Sequence, residues 1–207
     1  MARYRGPRFR LQRRLNVRLA GLTTKRKDKN LKTPGQHGQD PNRVRKSAYR
    51  IRLEEKQKLR FNYSVNEKQL FRYVKEARRI KGSTGFIILQ FLEMRLDTII
   101  YRLNLAPTII AARQLVSHGH IVVNKQQVTI ASFQCRPGDI IEVREKESSK
   151  QLVEKSLSQK KKKYLPSHLS VNYNNSNFAG YVNKRVLRKD INLPINELLI
   201  VEYYARR

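Results

Sequence analysis

Seven side chains between residues 113 and 125 could together contact the backbone of a nucleic acid. The stretch AARQLVSHGHIVVNKQQV, residues 111–128, has the apolar spacing of a short helix, followed by a glycine, an alternating strand and a polar turn. The end of a helix lies beside the start of the next strand, so polar side chains on both should share one surface. This surface, the polar platform, contains Arg113, Gln114, Ser117, His118, His120, Asn124 and Lys125. Separated donors on a packed support suit phosphate and sugar contacts, although an ordinary α/β surface explains the pattern equally well.

Other site chemistry finds little support in the sequence. His118 and His120 could bind zinc, but two histidines two positions apart have no third ligand nearby. The one cysteine, Cys135, excludes an internal disulfide and a multi-cysteine zinc site. The segment KGSTG, residues 81–85, lacks the GxxxxGKS/T spacing of a nucleotide-binding loop. We therefore expect no catalytic residue, no metal and no cofactor.

The chain carries a large excess of positive charge. Its 207 residues include 45 Lys and Arg against 16 Asp and Glu, a formal net charge of +29 at pH 7. A basic surface gains affinity for nucleic acid by releasing the counterions of phosphate groups. An anionic membrane is a weaker alternative, because no apolar run approaches the roughly 18 residues of a spanning helix. The start, MARYRGPRFR, also lacks the apolar stretch of a secretory signal. Nucleic acid is therefore the expected partner.

This charge is unevenly distributed. Residues 1–60 hold 20 Lys and Arg against 4 acids, whereas residues 94–144 hold 6 against 3. Residues 150–168 hold 6 against 1, including four consecutive lysines at 160–163. The asymmetry predicts an electrostatic arm joined to a folded module that recognises the same partner.

The arm, residues 1–45, shows no clean apolar period, and we expect it to be irregular until it contacts a partner. Tyr4, Phe9 and several arginines alternate in its first part. Aromatic rings and guanidinium groups both stack on unpaired bases, so nucleic-acid binding is favoured over a merely solvated tail.

Two helices are expected over residues 46–81. Glu54 and Lys58 are spaced for an i,i+4 ion pair in the first. Ser64 and Glu67 fit a capping box at the start of the second. The arginines and lysines of the second helix fall mainly off its apolar stripe, as a cationic face would.

The middle of the chain should supply most of the core. Residues 86–105, FIILQFLEMRLDTIIYRLNL, place apolar side chains on a helical period and are expected to form one helix. Thr108 is a suitable N-cap for the helix of the platform. The segments QVTI, residues 127–130, and RPGDIIEV, residues 136–143, predict further short strands.

The last apolar segment is expected to return to the core. ELLIVEYY, residues 197–204, is interpreted as a short strand of mixed burial. Tyr203 and Tyr204 are expected near the surface, without an assigned role in binding.

Several segments resemble one family. ARQLVSHGHIVVN and PGDIIEV resemble the RNA-binding module called the αL or S4 domain. The whole chain is similar to the family of small-subunit ribosomal protein four. The segments that carry this resemblance lie in family order: MARYRGPRFR, PGQHGQ, RLEEKQKLRFNY, KGSTG, EMRLDTIIYRL, ARQLVSHGHIVVN, PGDIIEV and INELLIVEYYARR.

The resemblance implies an α+β fold with an inserted domain. A helical N-terminal domain with a basic extended arm would receive an αL domain that has a small antiparallel sheet. The expected divisions are a basic arm at 1–45, a helical domain at 46–93 joined by the C-terminal segment 185–207, and an αL domain at 94–184 that includes a basic connector at 145–168.

The family's role implies a structural, non-catalytic ribosomal protein. Members bind small-subunit ribosomal RNA early, nucleate assembly of the subunit body and, with ribosomal proteins five and twelve, influence decoding accuracy. The expected partners are therefore this RNA and those two proteins, with no membrane and no second copy of the chain.

Residue patterns and the resemblance together give a set of expected RNA-binding residues. Its members are cations of the arm and of the helices, together with most of the polar platform: Arg3, Tyr4, Arg5, Arg8, Arg10, Arg13, Arg14, Lys25, Arg26, Arg43, Arg45, Lys46, Arg50, Arg52, Lys58, Arg72, Arg79, Lys81, Arg113, Gln114, Ser117, His118, Asn124 and Lys125.

Some features depart from the family pattern or leave alternatives open. The zinc-binding cysteines of some relatives are missing, and Asn124-Lys125 stands where Asn-Gly is usual, which puts the turn type in doubt. The element LPSHL, residues 165–169, is similar to plastid forms, so a chloroplast ribosome is expected, with a bacterial cytoplasm or another organelle as the alternative. An RNA-modifying enzyme using the tripeptide RLD, residues 95–97, and a DNA-binding regulator are the competing functions.

Overall fold

The chain folds into two compact units. The structure is a computed structural model that describes residues 4–24, 33–39, 46–158, 165–174 and 177–205. One unit, here the terminal unit, contains Met1–Ile88 and Leu193–Arg207, and the other, the central unit, contains Leu89–Asn192. The terminal unit is helical and the central unit contains the sheet, so the predicted α+β class is confirmed. Among the described residues, no helix is both long enough and apolar enough to span a membrane.

The terminal unit is built from helices. Their bounds are α1 Arg8–Leu15, α2 Ala48–Asn62, α3 Glu67–Arg78, α4 Thr84–Glu93, which runs on into the central unit, and α8 Glu197–Ala205, with a 3₁₀ turn at Gln36–Gln39. Helix α2 packs along α8, and Ser47 caps α2 by accepting a hydrogen bond from the Arg50 amide.

The first part of the arm is ordered, contrary to the expectation from sequence. Residues 8–15 form α1, and four leucines, Leu11, Leu15, Leu19 and Leu22, are buried at 7% exposure or less. Leu11 and Leu15 lie four residues apart on one face of α1, and Leu19 and Leu22 follow after the helix ends at its C-cap, Asn16. The density of arginines obscured this apolar spacing. The Gly21 amide also donates to Asn62 Oδ1 at 3.2 Å, which ties this segment to α2.

The C-terminal segment is a helix and not the predicted strand. Helix α8 buries Ile200, Tyr203 and Tyr204 on one face, so neither tyrosine lies near the surface. Tyr204 donates to Glu67 Oε1 at 3.0 Å. The Lys56 ammonium, only 4% exposed, pairs with Glu67 Oε2 at 3.0 Å and lies 4.6 Å from the centre of the Tyr203 ring. The tyrosines therefore anchor α8 through polar contacts that a pattern of apolar residues does not reveal.

The central unit combines three helices with an antiparallel sheet. The helices are α5 Leu96–Arg102, α6 Ile109–Ser117 and α7 Glu147–Ser158. The strands are β1 Ile121–Val123, β2 Gln126–Gln127, β3 Ile140–Val143, β4 Leu169–Asn174 and β5 Asn177–Val182, in the order β2-β1-β3-β5-β4. Gly180 of β5 leaves room for Leu103, because an added Cβ would lie 2.7 Å from Leu103 Cδ1.

The single helix predicted over residues 86–105 is divided at Arg95. Helix α4 ends at Glu93 and α5 begins at Leu96, while Arg95 has extended backbone angles and bridges to Gln134. The Leu96 amide donates to the Phe133 carbonyl at 2.9 Å. Both α4 and α5 bury apolar side chains at a helical spacing, so the apolar period continues across the break. Periodicity alone therefore could not show where α4 ends and α5 begins.

The turn between β1 and β2 has a left-handed backbone at both central residues. The φ angles of Asn124 and Lys125 are 49° and 66°, which identifies a type I′ turn with lysine in place of the usual glycine. The Asn124 side chain stabilises it, donating to Asp139 Oδ1 and accepting from the Ile140 amide, both at 2.9 Å. Strand β2 is only two residues long, so the prediction of a strand over 127–130 is wrong.

The N-cap of α3 also differs from the prediction. Asn66, not Ser64, caps the helix: its Oδ1 accepts from the Gln69 amide at 2.7 Å, and Gln69 Oε1 accepts from the Asn66 amide. Ser64 instead has a left-handed backbone with φ 51°. The predicted spacing of the box was right and its position two residues too early.

Replacing Asn66 with Ala is expected to lower the free energy of unfolding by about 1 kcal/mol, because the Gln69 amide in the first turn loses its side-chain acceptor. Urea denaturation followed by circular dichroism measures the change. The matched control is Ser64→Gly, which relieves a left-handed backbone and should not destabilise the protein. A larger loss in Ser64→Gly than in Asn66→Ala would contradict this assignment of the cap.

His168 is a fully buried imidazole of the central unit. It is 1% exposed, and neither ring nitrogen has a hydrogen-bond partner among the described residues. Burial lowers the pKa of His168 below its ordinary value of 6.5, with Arg102 and Lys184 acting in the same direction and Glu93 and Asp190 opposing them. The ring is therefore neutral in the folded protein at pH 7.

Stability should fall as the pH is lowered from 7 to 5. The unfolded chain binds a proton at the ordinary pKa of 6.5, whereas the folded chain resists it, so acid favours unfolding by at most about 1.4 kcal/mol per pH unit for this group. His168→Leu is expected to flatten the pH dependence, leaving the contribution of His120, whose pKa is also lowered. Urea titrations at several pH values test this, and identical slopes in both proteins would exclude the effect.

Candidate nucleic-acid interface

Helix α6 presents the first part of the polar platform. The Thr108 side chain accepts a hydrogen bond from the Ala111 amide at 3.2 Å, as predicted, and Ile109, Ala112 and Val116 are buried. Gly119 ends the helix with φ 73°. The exposed side therefore carries Gln114, Ser117 and His118, and the His118 and His120 rings lie 6.1 Å apart.

The turn with Asn124 and Lys125 is separated from this group. Strand β1 lies between them, and four residues of strand from His120 to Asn124 span roughly 13 Å. The predicted platform therefore consists of two patches joined by β1: the end of α6 and the type I′ turn. Lys125 is exposed in the turn and forms no ion pair with a described residue.

Arg113 belongs to a buried ion cluster. Asp97 is fully buried and is held by two guanidinium groups. Its Oδ2 accepts from Arg95 Nη2 at 2.8 Å and from Arg113 Nη2 and Nε at 2.7 and 3.0 Å, and its Oδ1 accepts from Arg95 Nε at 3.0 Å. Arg113 thus has a structural partner inside the unit, and contact with RNA by this residue stays a prediction.

The burial and ion pairing of Asp97 also exclude a catalytic role for the tripeptide RLD. A catalytic carboxylate must reach its substrate, but both oxygens of Asp97 are occupied and no part of the side chain is exposed. Cys135 is likewise buried, and burial raises the pKa of its thiol far above the ordinary value, so it remains protonated. Among the described residues, no group of His, Cys, Asp and Glu could hold a metal ion.

Four predicted RNA-binding residues of the first helical segment form ion pairs with acids. Lys46 and Arg50 contact Glu54, Arg52 contacts Glu202 at 2.6 Å, and Lys58 contacts Glu55. The predicted pair between Glu54 and Lys58 is therefore wrong, because each residue has a different partner.

Glu54 is stabilised as a carboxylate by its two cations. Burial acts to raise the pKa of Glu54, but hydrogen bonds and charges from Lys46 and Arg50 leave it below its ordinary value. Arg50 retains about half of its side-chain surface in solvent, at 51% exposure. The pairing therefore orients these cations without removing them from the surface.

Other predicted cations are exposed and form no ion pair with an acid among the described residues. In the terminal unit these are Arg5, Arg8, Arg10, Arg14, Arg72, Arg79 and Lys81. Arg13 of α1 is half-buried. Tyr4 is 39% exposed, and its ring packs edge-on against Phe61 at 5.5 Å. Arg3, Lys25, Arg26, Arg43 and Arg45 lie outside the described residues.

Two further cations lie beside the platform and were missed from the sequence. The pairing of Ile121 with Val143 brings the end of β3 to His120, and the Arg144 amide donates to the His120 carbonyl at 2.9 Å. Burial, with the charges of His118, Lys146 and Arg144, lowers the pKa of His120. The pairing of β3 with β1 places Arg144 and Lys146 beside His120, and local sequence patterns do not specify which strands pair.

Comparison with known proteins covers the whole chain. The family model described as the ribosomal protein S4/S9 N-terminal domain matches residues 3–93, and that of the S4 domain matches residues 94–141. The chain is 57% identical over 207 residues to small ribosomal subunit protein uS4 of Thermosynechococcus vestitus. It is 54% identical over 208 residues to uS4c of Tupiella akineta and 55% identical over 207 residues to uS4c of Porphyra purpurea. Each alignment covers 100% of both chains.

The chain belongs to the uS4 family of small ribosomal subunit proteins.

This assignment confirms the family recognised from the sequence. The protein is a structural component of the small ribosomal subunit with an RNA-binding S4 domain, and not an enzyme. The modifying-enzyme alternative, which depended on Asp97, is therefore wrong. The S4 match begins at Met94, beside the break between α4 and α5, and ends in β3. The platform thus lies within the matched module.

Asp97→Ala is expected to lower the free energy of unfolding by about 3–5 kcal/mol, because Arg95 would remain buried without its carboxylate. Arg113→Ala is the matched comparison: it leaves the Arg95–Asp97 pair in place and should cost less. Urea denaturation of the two variants measures the difference. Equal losses, or a loss below about 1 kcal/mol in Asp97→Ala, would show that the cluster does not hold the unit together.

Proposed function

We propose that this protein is a primary binder of small-subunit ribosomal RNA that nucleates assembly of the subunit body. The observation that supports this most directly is the exposed cationic surface of the terminal unit. Helix α1 and the stretch from α3 to Lys81 present arginines and lysines to solvent while their leucines and tyrosines are buried. A phosphate backbone neutralises such a surface and gains entropy from counterion release.

The arrangement suits early binding to folded RNA. The terminal unit presents many cations for contact with phosphates, which fixes position without reading sequence. The central unit offers a smaller number of donors on rigid supports, at the end of α6 and in the type I′ turn. A protein that binds through dense phosphate contacts needs no other protein to create its site, which is the property required of an assembly nucleus.

The proposed protein partners are ribosomal proteins five and twelve. Together with them, this protein would influence the accuracy of decoding. The family resemblance supports them. Exposed apolar side chains in the terminal unit, Ile80 at 48% and Leu198 at 71%, are available to a protein neighbour. Co-sedimentation of the three proteins with small subunits, and misreading rates in cells carrying Leu198→Asp, would test this part.

The ribosome proposed is that of a plastid. Relatives named uS4c match over the full length at 54–55% identity, which agrees with the location predicted from the LPSHL element.

RNA affinity should fall steeply with salt, and each ion pair to phosphate that a substitution removes should reduce the log–log slope by about one. We expect the double variant Arg72→Gln, Arg79→Gln to lower the slope by about two. Filter binding of a small-subunit ribosomal RNA transcript at several salt concentrations measures it.

The matched control for this experiment removes the same charge elsewhere. Lys184→Gln, Lys189→Gln changes two exposed lysines of the central unit that are not among the predicted RNA-binding residues. Its slope should remain near that of the unmodified protein. An affinity that hardly varies with salt, or an equal effect of both double variants, would contradict the proposed binding surface.

A further inference from the structure

The central unit contains a pocket between α6 and α7 that no known function of the chain uses. Its volume is about 230 Å³. Drug-sized ligands occupy pockets of about 300–1,000 Å³, so this space suits a single flat ring system better than a whole nucleotide. Leu105, Pro107, Leu115 and Leu152 supply its apolar walls.

The pocket also contains polar groups suited to the edge of a ring. The Ser156 hydroxyl is buried in its wall and has no hydrogen-bond partner among the described residues. A buried hydroxyl without a partner costs free energy, which a ligand with a donor or acceptor would recover. Gln114 at the rim offers an NH₂ donor group and a carbonyl acceptor on the same amide.

His120 can also form a hydrogen bond with a ligand in the pocket. Its Nδ1 lies 2.9 Å from the hydroxyl of the fully buried Ser149, which leaves Nε2 as the ring nitrogen that can bind a ligand. Burial and the neighbouring cations lower the pKa of His120, so the ring is neutral at pH 7 and can accept or donate.

The charged residues near the pocket indicate which class of molecule carries the ring that would bind there. Arg144 and Lys146 lie near His120, and the exposed His118 forms part of the rim. An apolar slot with two cations beside His120, one of its lining residues, matches a nucleic-acid strand, whose bases are flat and whose backbone is anionic.

We propose that this pocket binds one unpaired base extruded from ribosomal RNA, with its faces against the leucines and its edge on Ser156, Gln114 and His120. The inference rests on the proposed RNA-binding function and adds a sequence-reading contact to a surface otherwise occupied with phosphates. The base is selected by its edge, and the backbone on either side lies against Arg144 and Lys146.

Ser156→Phe tests the proposal by filling the pocket. The matched control is Ser148→Phe, on an exposed position of the same helix. With the full chain and a small-subunit ribosomal RNA transcript, Ser156→Phe is expected to weaken binding about 10-fold, and Ser148→Phe to leave it unchanged. Chemical probing of base edges should show one nucleotide protected by the unmodified protein and by Ser148→Phe but reactive with Ser156→Phe.

A second variant covers the case in which Ser156→Phe does not fold. Leu152 is 47% exposed, so Leu152→Ser removes one wall with little effect on the core and should expose the same nucleotide. Unchanged affinity and an unchanged pattern of protection in these variants would overturn the pocket proposal while leaving RNA binding intact. Failure of the unmodified protein to bind the transcript would instead overturn the proposed function.

Discussion

The carboxylate of Asp97 is the point on which the arrangement of the central unit depends. Two guanidinium groups hold it, from Arg95 at the break between α4 and α5 and from Arg113 on α6, and the Asp97 amide donates to the Ala131 carbonyl. The buried anion therefore joins the start of α5 to α6, and the amide of the same residue joins them to the loop before β3. Such clusters add little net stability compared with apolar packing, but removing the central charge is costly, so they favour one arrangement over others. The platform side of α6 is oriented by this contact.

Several other acidic residues are also engaged in contacts inside a folded unit. Glu54, Glu55, Glu67 and Glu202 pair with lysines and arginines of the terminal unit. In the central unit, Glu93 pairs with Arg102, Asp139 accepts from Asn124, and Asp190 accepts from Ser167 at 2.8 Å. Because these acids are held in internal contacts, the exposed arginines Arg8, Arg10, Arg14 and Arg72 of α1 and α3 form no ion pair with a described acid. Much of the net charge of +29 is therefore carried by exposed side chains of particular helices, where an anionic partner can neutralise it and relieve the repulsion between like charges.

Predictions from sequence succeeded where the cause was local. The Thr108 cap and the end of α6 at Gly119 each depend on residues within about four positions of one another. Two local predictions, the capping box at Ser64 and the pair between Glu54 and Lys58, were wrong because a nearby alternative partner was chosen. The larger failures came where distant residues decided the outcome. ELLIVEYY became helix α8 because Tyr203 and Tyr204 contact Lys56 and Glu67, more than 130 positions away. The arm became ordered at α1 because its leucines pack within the terminal unit, which the arginines between them concealed.

The sequence by itself determined the family, the α+β class, the cationic character and the RNA-binding module, because these follow from composition and from short motifs in a fixed order. Tertiary structure alone decided which cations remain exposed. Arg113 lies against Asp97 while Lys125 stays in solvent, although both carry the same charge in the same module. It also placed Arg144 and Lys146 beside His120 and created the pocket between α6 and α7. The physical reason is that ion pairing, strand register and cavities arise from contacts between residues far apart in the chain, whereas caps, turns and net charge do not.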